Sequence, residues 1–153
     1  MSDRSERAIV TVLCMIYRDN KILLQDRTKK DWLGLTFPGG HVEKEESFVK
    51  AVIREMKEET GMTIRHPRLC GLKQFQTDDD ERYIVALFKT DEFEGELVSS
   101  DEGQMYWIDR DELEKQNLAD DFFELLRVFD EEDLTEFFYE RGKGAEDWKV
   151  RLF

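Results

Sequence analysis

Apolar side chains recur along the chain in two rhythms, one suited to strands and one to helices. Residues 8–17 (AIVTVLCMIY) are rich in Val, Ile and Thr, and residues 21–25 (KILLQ) form a second apolar run. The intervening RDN supplies turn chemistry, so the pair predicts a β-hairpin. Residues 26–41 mix charge, Gly and Pro around Trp32, Leu35 and Phe37, which predicts a loop carrying a short strand. The rhythm then changes. Val49, Val52, Ile53 and Met56 recur at i, i+3, i+4 and i+7 behind Ser47, a good N-cap, and Gly61 supplies a stop, so a helix is predicted up to residue 60. Apolar runs at 69–76 and 82–89 predict strands separated by the acidic loop TDDDE, with shorter strands at 95–98 and 104–108. Residues 109–116 and 121–129 read as helices, the second with Phe122, Leu125, Leu126 and Phe129 at core spacing. Strands at 134–139 and 148–153 complete an α/β (α+β) pattern: a mixed sheet with helices on both faces, in a single domain spanning 1–153.

Composition narrows the partners. Apolar residues make up 40% of the 153, and 11 Phe, 3 Trp and 4 Tyr supply enough burial for an autonomous core despite 39% charged residues. A formal net charge of -13 repels phosphate backbones, which argues against a nucleic-acid polymer as partner and requires that any anionic substrate receive positive help. Cys14 and Cys70 lack the spacing of a zinc site or a disulfide framework and fit reduced thiols in a cytoplasmic protein. The apolar stretch near the N-terminus is too short to span a bilayer, so no membrane association is expected.

The chemistry concentrates in the first predicted helix. Glu55, Glu58 and Glu59 sit at i, i+3 and i+4, neighbours whose like charges oppose helix formation. At about 100° per residue their mean direction lies roughly 120° from the apolar stripe, so the helix can be packed on one side and acidic on another. Such a run is ordinarily a solvated face balanced by Lys50, Arg54 and Lys57. The alternative is a site for a hard cation, because Mg²⁺ prefers carboxylate oxygens together with waters and substrate phosphates.

The fixed spacing around these glutamates decides between the two. Gly40, five residues, Glu46, seven residues, then Arg54-Glu55-Met56-Lys57-Glu58-Glu59-Thr60-Gly61-Met62 matches every specified position of the Nudix box, G-x5-E-x7-R-E-U-x-E-E-x-G-U with U apolar. The chain therefore resembles the Nudix hydrolases, and the preceding FPGG extends the resemblance. It implies an α/β/α sandwich with a mixed sheet and a loop-helix-loop that holds divalent cations, with water attacking a phosphorus of a nucleoside diphosphate linked to another group. Mg²⁺ is the expected cofactor, with Mn²⁺ able to substitute. Glu55, Glu58 and Glu59 would be metal ligands, joined by the backbone carbonyl of Gly39; Arg54 would bridge carboxylates and fix their rotamers. The general base stays open among Glu58, Glu59 and Glu102, the last in an E-G-Q stretch before a strand with Trp107, as in proteins of the MutT type, where that glutamate reaches the metal.

The same resemblance suggests a substrate. Asp120 and Asp121 are similar to the paired aspartates of oxidised-purine triphosphatases, although they also suit a helix N-terminus. Leu118 stands where such enzymes have an aromatic wall, a departure that weakens the match to 8-oxoguanine. Arg27 resembles a phosphate- or ribose-contacting arginine, and Phe37 is a candidate wall of the base pocket. His41 and His66 have no partner spacing, and DDDERY at 78–83 lacks the glycine and final glutamate of an EF-hand. The expectation is a Mg²⁺-dependent nucleoside triphosphate pyrophosphohydrolase, monomeric or homodimeric, acting on 8-oxo-dGTP or another non-standard dNTP. The alternatives are an ADP-sugar or ADP-ribose pyrophosphatase and a non-catalytic nucleotide sensor, the latter disfavoured by intact glutamates.

Overall fold

A computed structural model describes residues 3–27, 33–99, 103–144 and 147–153. The predicted hairpin forms from β1 (Ala8–Arg18) and β2 (Lys21–Arg27), with Tyr17 opposite Ile22 and Asp19 in the left-handed region at the turn. Next come β3 (Leu35–Thr36), β4 (Gly39–His41), helix α1 (Phe48–Thr60), β5 (Thr63–Arg65), β6 (Arg68–Gln76), β7 (Arg82–Thr90), β8 (Glu92–Glu94) and β9 (Gly103–Asp109). A 3-10 helix, Arg110–Lys115, replaces the regular helix expected at 109–116; α2 (Phe122–Asp130), β10 (Glu136–Arg141) and β11 (Trp148–Leu152) complete the order.

The fold is mixed α+β, with one curled sheet running β11-β10-β6-β7-β1-β2-β3, β4 adding to β1 and β9 to β2. The β1–β7 and β10–β6 pairs are parallel and the others antiparallel. Alternation along the central strands divides the core, because successive side chains leave a strand on opposite faces. Val12, Cys14 and Ile16 of β1, Leu23 of β2, and Ala86 and Phe88 of β7 pack with Ala51, Val52 and Met56 of α1. Their neighbours Met15, Ile22, Leu24, Val85 and Leu87 pack on the other face with Phe122, Leu125 and Phe129 of α2. The sheet thus carries one helix on each side.

One expected strand is absent. Residues 95–98 are not extended into a sheet; the strand lies upstream at β8, where it pairs with β5. The displaced segment closes the end of α1 instead. Val98 donates its N–H to the Thr60 carbonyl at 2.8 Å, while Gly61, left-handed at φ 79°, donates to Lys57 at 3.0 Å. A Cβ on Gly61 would come within 2.1 Å of Val98 Cγ2 and 2.9 Å of the Glu96 carbonyl. Gly61→Ala therefore combines left-handed strain with a clash and should destabilise the protein by about 1–3 kcal/mol, read as a lower denaturation midpoint. An unchanged midpoint would show that the clasp contributes nothing.

Candidate active site

Helix α1 is fixed at its start by Ser47, whose Oγ accepts from Lys50 N–H at 3.0 Å. It presents Arg54 toward the loop that precedes it. Arg54 donates from Nε to Glu46 Oε2 at 2.7 Å and from Nη2 to Glu46 Oε1 at 2.9 Å, a two-pronged contact that matches guanidinium to carboxylate. Nη1 donates to Glu55 Oε1 at 2.9 Å and to Glu58 Oε2 at 3.2 Å, and Nη2 also reaches the His41 carbonyl at 3.0 Å. One cation thus organises three carboxylates and the end of β4. Hydrogen bonding from Arg54 holds the Glu46 carboxyl down at about 2, and the same contact raises the arginine further above its ordinary value.

The buried side of α1 differs from the stripe expected in the sequence. Val49 is 44% exposed, whereas Glu55 and Glu59 are only 8% and 6% exposed and join Ala51, Val52, Met56 and Thr60 on the buried side. Two structural features accommodate these acids. Gly40 lies under Glu55 so closely that a Cβ would stand 2.2 Å from the carboxylate carbon, and Gln25, buried on β2, donates from Nε2 to Glu59 Oε2 at 3.2 Å. Gly39 has a separate requirement, because its Cβ would meet the Val12 carbonyl at 2.1 Å across the β1–β4 pairing.

This donor set fits a hard cation. It offers carboxylate oxygens: Glu46, Glu55 and Glu58 are gathered around the Arg54 guanidinium, and Glu59, held by Gln25, lies on the same helix within electrostatic reach of Glu55. Burial pushes the Glu55 carboxyl up, only partly opposed by Arg54, so added positive charge at this face would be favourable. Among the described residues no three acidic, histidine or cysteine side chains converge into a ready-made cage. A cation that keeps waters and substrate phosphates does not require one.

A cleft of about 710 Å³ opens on the α2 side of the sheet. Arg27, Lys73, Asp120 and Asp121 give it charge, while Phe75, Tyr139 and Trp148 form an aromatic wall. Phe75 stacks on Tyr83 at 5.2 Å, and Tyr139 and Trp148 meet it edge-on at 5.7 and 6.1 Å. Lys73 lies 5.2 Å from the Phe137 and Tyr139 ring centroids, and burial lowers its ammonium to about 8, against the pull of Asp121. The backbone links cleft and acidic helix. Leu13, which lines the cleft, pairs with Gly39, and the next residue, Gly40, underlies Glu55. On β2, Gln25 touches Glu59 and Arg27, two residues on, lines the cleft.

The structure thus gathers Arg54, Glu55, Glu58 and Glu59 at one locus, with Gly39 beside it on β4, and Arg27, Asp120 and Asp121 at the other. One expectation is corrected. Phe37 is fully buried, stacked on Phe122 at 5.0 Å and against Phe129 at 4.7 Å, so it supports the cleft from behind without lining it. Leu118 is half-buried, packs on the core and bridges Leu35 through its backbone, next to Ala119 and Asp120 of the cleft. Glu102 lies outside the described residues. His41 contributes only a carbonyl to this site, and the His66 ring faces Glu92 at the surface. Sequence reasoning missed Gln25, Lys73, Phe75, Tyr139 and Trp148. Two of these carried a signal: Gln25 closes an apolar run, and Lys73 shares a strand face with Phe75.

The NUDIX-domain family model matches residues 7–129. The chain belongs to the Nudix family. It is 33% identical over 111 residues to the uncharacterized Nudix hydrolase YvcI of Bacillus subtilis, covering 69% of each chain. It is 36% identical over 97 residues to the ADP-ribose pyrophosphatase of Methanocaldococcus jannaschii, over 62% of this chain and 57% of that one. Among solved structures, a MutT protein from Bacillus halodurans superposes with a TM-score of 0.73 at 27% identity, covering 93% of this chain and 97% of that chain. A MutT Nudix hydrolase from Burkholderia pseudomallei gives 0.71 at 25% identity, over 80% and 98%. Nudix hydrolases act on small-molecule nucleotides and generally use divalent metal ions. No helix among the described residues is long and apolar enough to cross a membrane.

The Arg54–Glu46 contact gives this Nudix hydrolase a specific acid response. Glu46 is depressed from 4.5 to about 2 in the folded state, so its stabilisation is complete above the unfolded value and lost as pH falls through the folded one. Between pH 4.5 and 2 the thermal midpoint should fall more steeply in the parent protein than in Glu46→Gln; parallel curves would contradict the contact.

Proposed function

We propose that the protein is a Mg²⁺-dependent pyrophosphohydrolase of purine nucleoside triphosphates, non-standard dNTPs such as 8-oxo-dGTP included, releasing nucleoside monophosphate and pyrophosphate. The observation that carries this reading is the pairing of an acidic, Arg54-ordered helix with an aromatic cleft containing both acids and cations, joined through β2 and the β1–β4 pair. Under this reading the cleft takes the base, Arg27 lies on the route of the phosphates, and Asp120 and Asp121 accept hydrogen bonds from the base edge. The mixed polarity suits a nucleotide: aromatic faces take the ring, and a few fixed polar groups orient it.

Glu55, Glu58 and Glu59 would hold Mg²⁺, or Mn²⁺ in its place, with the Gly39 carbonyl and Glu102 as further ligands. Such an ion, when bound, neutralises phosphate charge and lowers the pKa of coordinated water. Arg54 keeps Glu55 and Glu58 from splaying apart in its absence, and Gln25 orients Glu59. Glu58, the most exposed of the helix acids, Glu59 and Glu102 are the candidates to take the proton of the attacking water. The chain would act in the cytoplasm as a monomer or homodimer, with Cys14 and Cys70 reduced.

The second reading, an ADP-ribose pyrophosphatase, is favoured by the likeness to the archaeal enzyme of that name, whose length this chain covers by just over half. Assays with dGTP, 8-oxo-dGTP, dATP and ADP-ribose in Mg²⁺ separate the two, and turnover of ADP-ribose alone would reject the triphosphate reading. Glu58→Gln and Glu59→Gln should each lower kcat by about two to four orders of magnitude with the circular dichroism spectrum retained. Chelation should abolish turnover and added Mg²⁺ restore it; full activity after chelation would defeat the metal assignment.

A further inference from the structure

Asp121 occupies the N-cap position of α2 in an unusual way. Its backbone is left-handed, at φ 59° and ψ 26°, and its carboxylate makes no capping hydrogen bond, although aspartate is among the best capping residues in the extended region. Left-handed backbone is costly for an L-residue, least so for Asp and Asn. The chain forgoes a cap and accepts that strain, and Asp121 Oδ2 instead accepts the Tyr139 hydroxyl proton at 2.7 Å. Asp121 and Tyr139 both line the cleft.

Tyr139 is a rigid donor. Its ring is held edge-on by Phe137 at 4.8 Å, Phe75 at 5.7 Å and Trp148 at 6.0 Å, which leaves its hydroxyl little freedom. Burial, then the neighbouring Asp121, raises its pKa, so the phenol stays protonated and donates. It lies on β10, which pairs in parallel with β6, the strand bearing Lys73 and Phe75, and antiparallel with β11, which bears Trp148. The Nudix match ends at residue 129, so this hairpin supplies part of the cleft from outside the matched region.

We infer that Tyr139 is a positioning residue for base selection: its hydrogen bond takes one lone pair of Asp121 Oδ2 and fixes the carboxylate plane, so that Oδ1 and the remaining lone pair of Oδ2 accept side by side from a purine edge rich in N–H donors. A guanine-type edge offers adjacent donors, the ring N1–H and the 2-amino group. An adenine edge offers one amino group beside an unprotonated ring nitrogen, an acceptor that would face the carboxylate lone pairs. A polar site left mismatched in this way discriminates more strongly than an apolar one. This inference rests on the reading of the cleft as the base pocket and adds the residue that sets its selectivity.

The test uses the full chain with Mg²⁺, comparing kcat and KM for dGTP and dATP and calorimetric binding of dGMP and dAMP. Tyr139→Phe should raise KM for dGTP and weaken dGMP binding by roughly tenfold to a hundredfold, the loss of one hydrogen bond to a charged group. kcat should stay within about twofold, and the dATP parameters should move little, so that discrimination collapses. Asp121→Asn, chosen because Asn tolerates the left-handed backbone, should reduce the same discrimination, and the double variant should be no worse than Asp121→Asn alone. An equal loss for both nucleotides, a fall in kcat without a change in KM, or additive effects in the double variant would overturn the positioning role. If Asp121→Asn leaves dGTP and dGMP unaffected, or the parent chain binds neither, the base-pocket reading fails and the inference with it.

Discussion

The site depends on one guanidinium. Arg54 stands among acids that would otherwise repel one another across a single helical turn, and it uses every face of its planar donor set to hold them: two prongs to Glu46, one nitrogen shared between Glu55 and Glu58, and a bond to the His41 carbonyl. A lysine has the charge but not the geometry to reach loop, helix and strand together. Because Glu55 is nearly buried, an unpaired charge there would be strongly unfavourable; Arg54 meets part of that cost and the bound cation is proposed to meet the rest. The acidic face is therefore ordered without being neutralised.

The sheet allows two kinds of chemistry to coexist. Alternation along β1, β2 and β7 sends neighbouring side chains to opposite helices, so these strands carry α1 on one face and α2, beside which the cleft opens, on the other. Glycine makes the crossing between them thin. At Gly39 and Gly40 the chain has no side chain to keep β4 away from β1 or from the Glu55 carboxylate.

Much of this was legible in the sequence, for identifiable reasons. The hairpin, α1, α2 and the long strands follow from apolar periodicity, and the helix acids from fixed spacing. What periodicity could not show was the roll of α1. Val49 belongs to the apolar stripe but is exposed, while Glu55 and Glu59 are buried, because Gly40 and the side chain of Gln25 create polar room on one side that no hydrophobic pattern encodes. Residues 95–98 look like a strand, yet their backbone is engaged with the end of α1. Phe37, an expected pocket wall, is packed in the core, as an aromatic in a short strand commonly is; the aromatic wall comes from β6, β10 and β11, brought together by the parallel β10–β6 and antiparallel β10–β11 pairings. Contacts between residues 60 or more apart leave no local trace.

That same parallel pairing has a consequence for the order in which the protein is made. The acids of α1 and the strands that flank them emerge from the ribosome well before residues 136–152, and N-terminal segments commonly begin to organise while synthesis continues. An incomplete chain that has docked α1 onto its sheet therefore already displays the carboxylates, but it has no Tyr139 or Trp148 with which to finish the cleft. The nascent protein gains its charged face before it gains the residues proposed to tell one base from another.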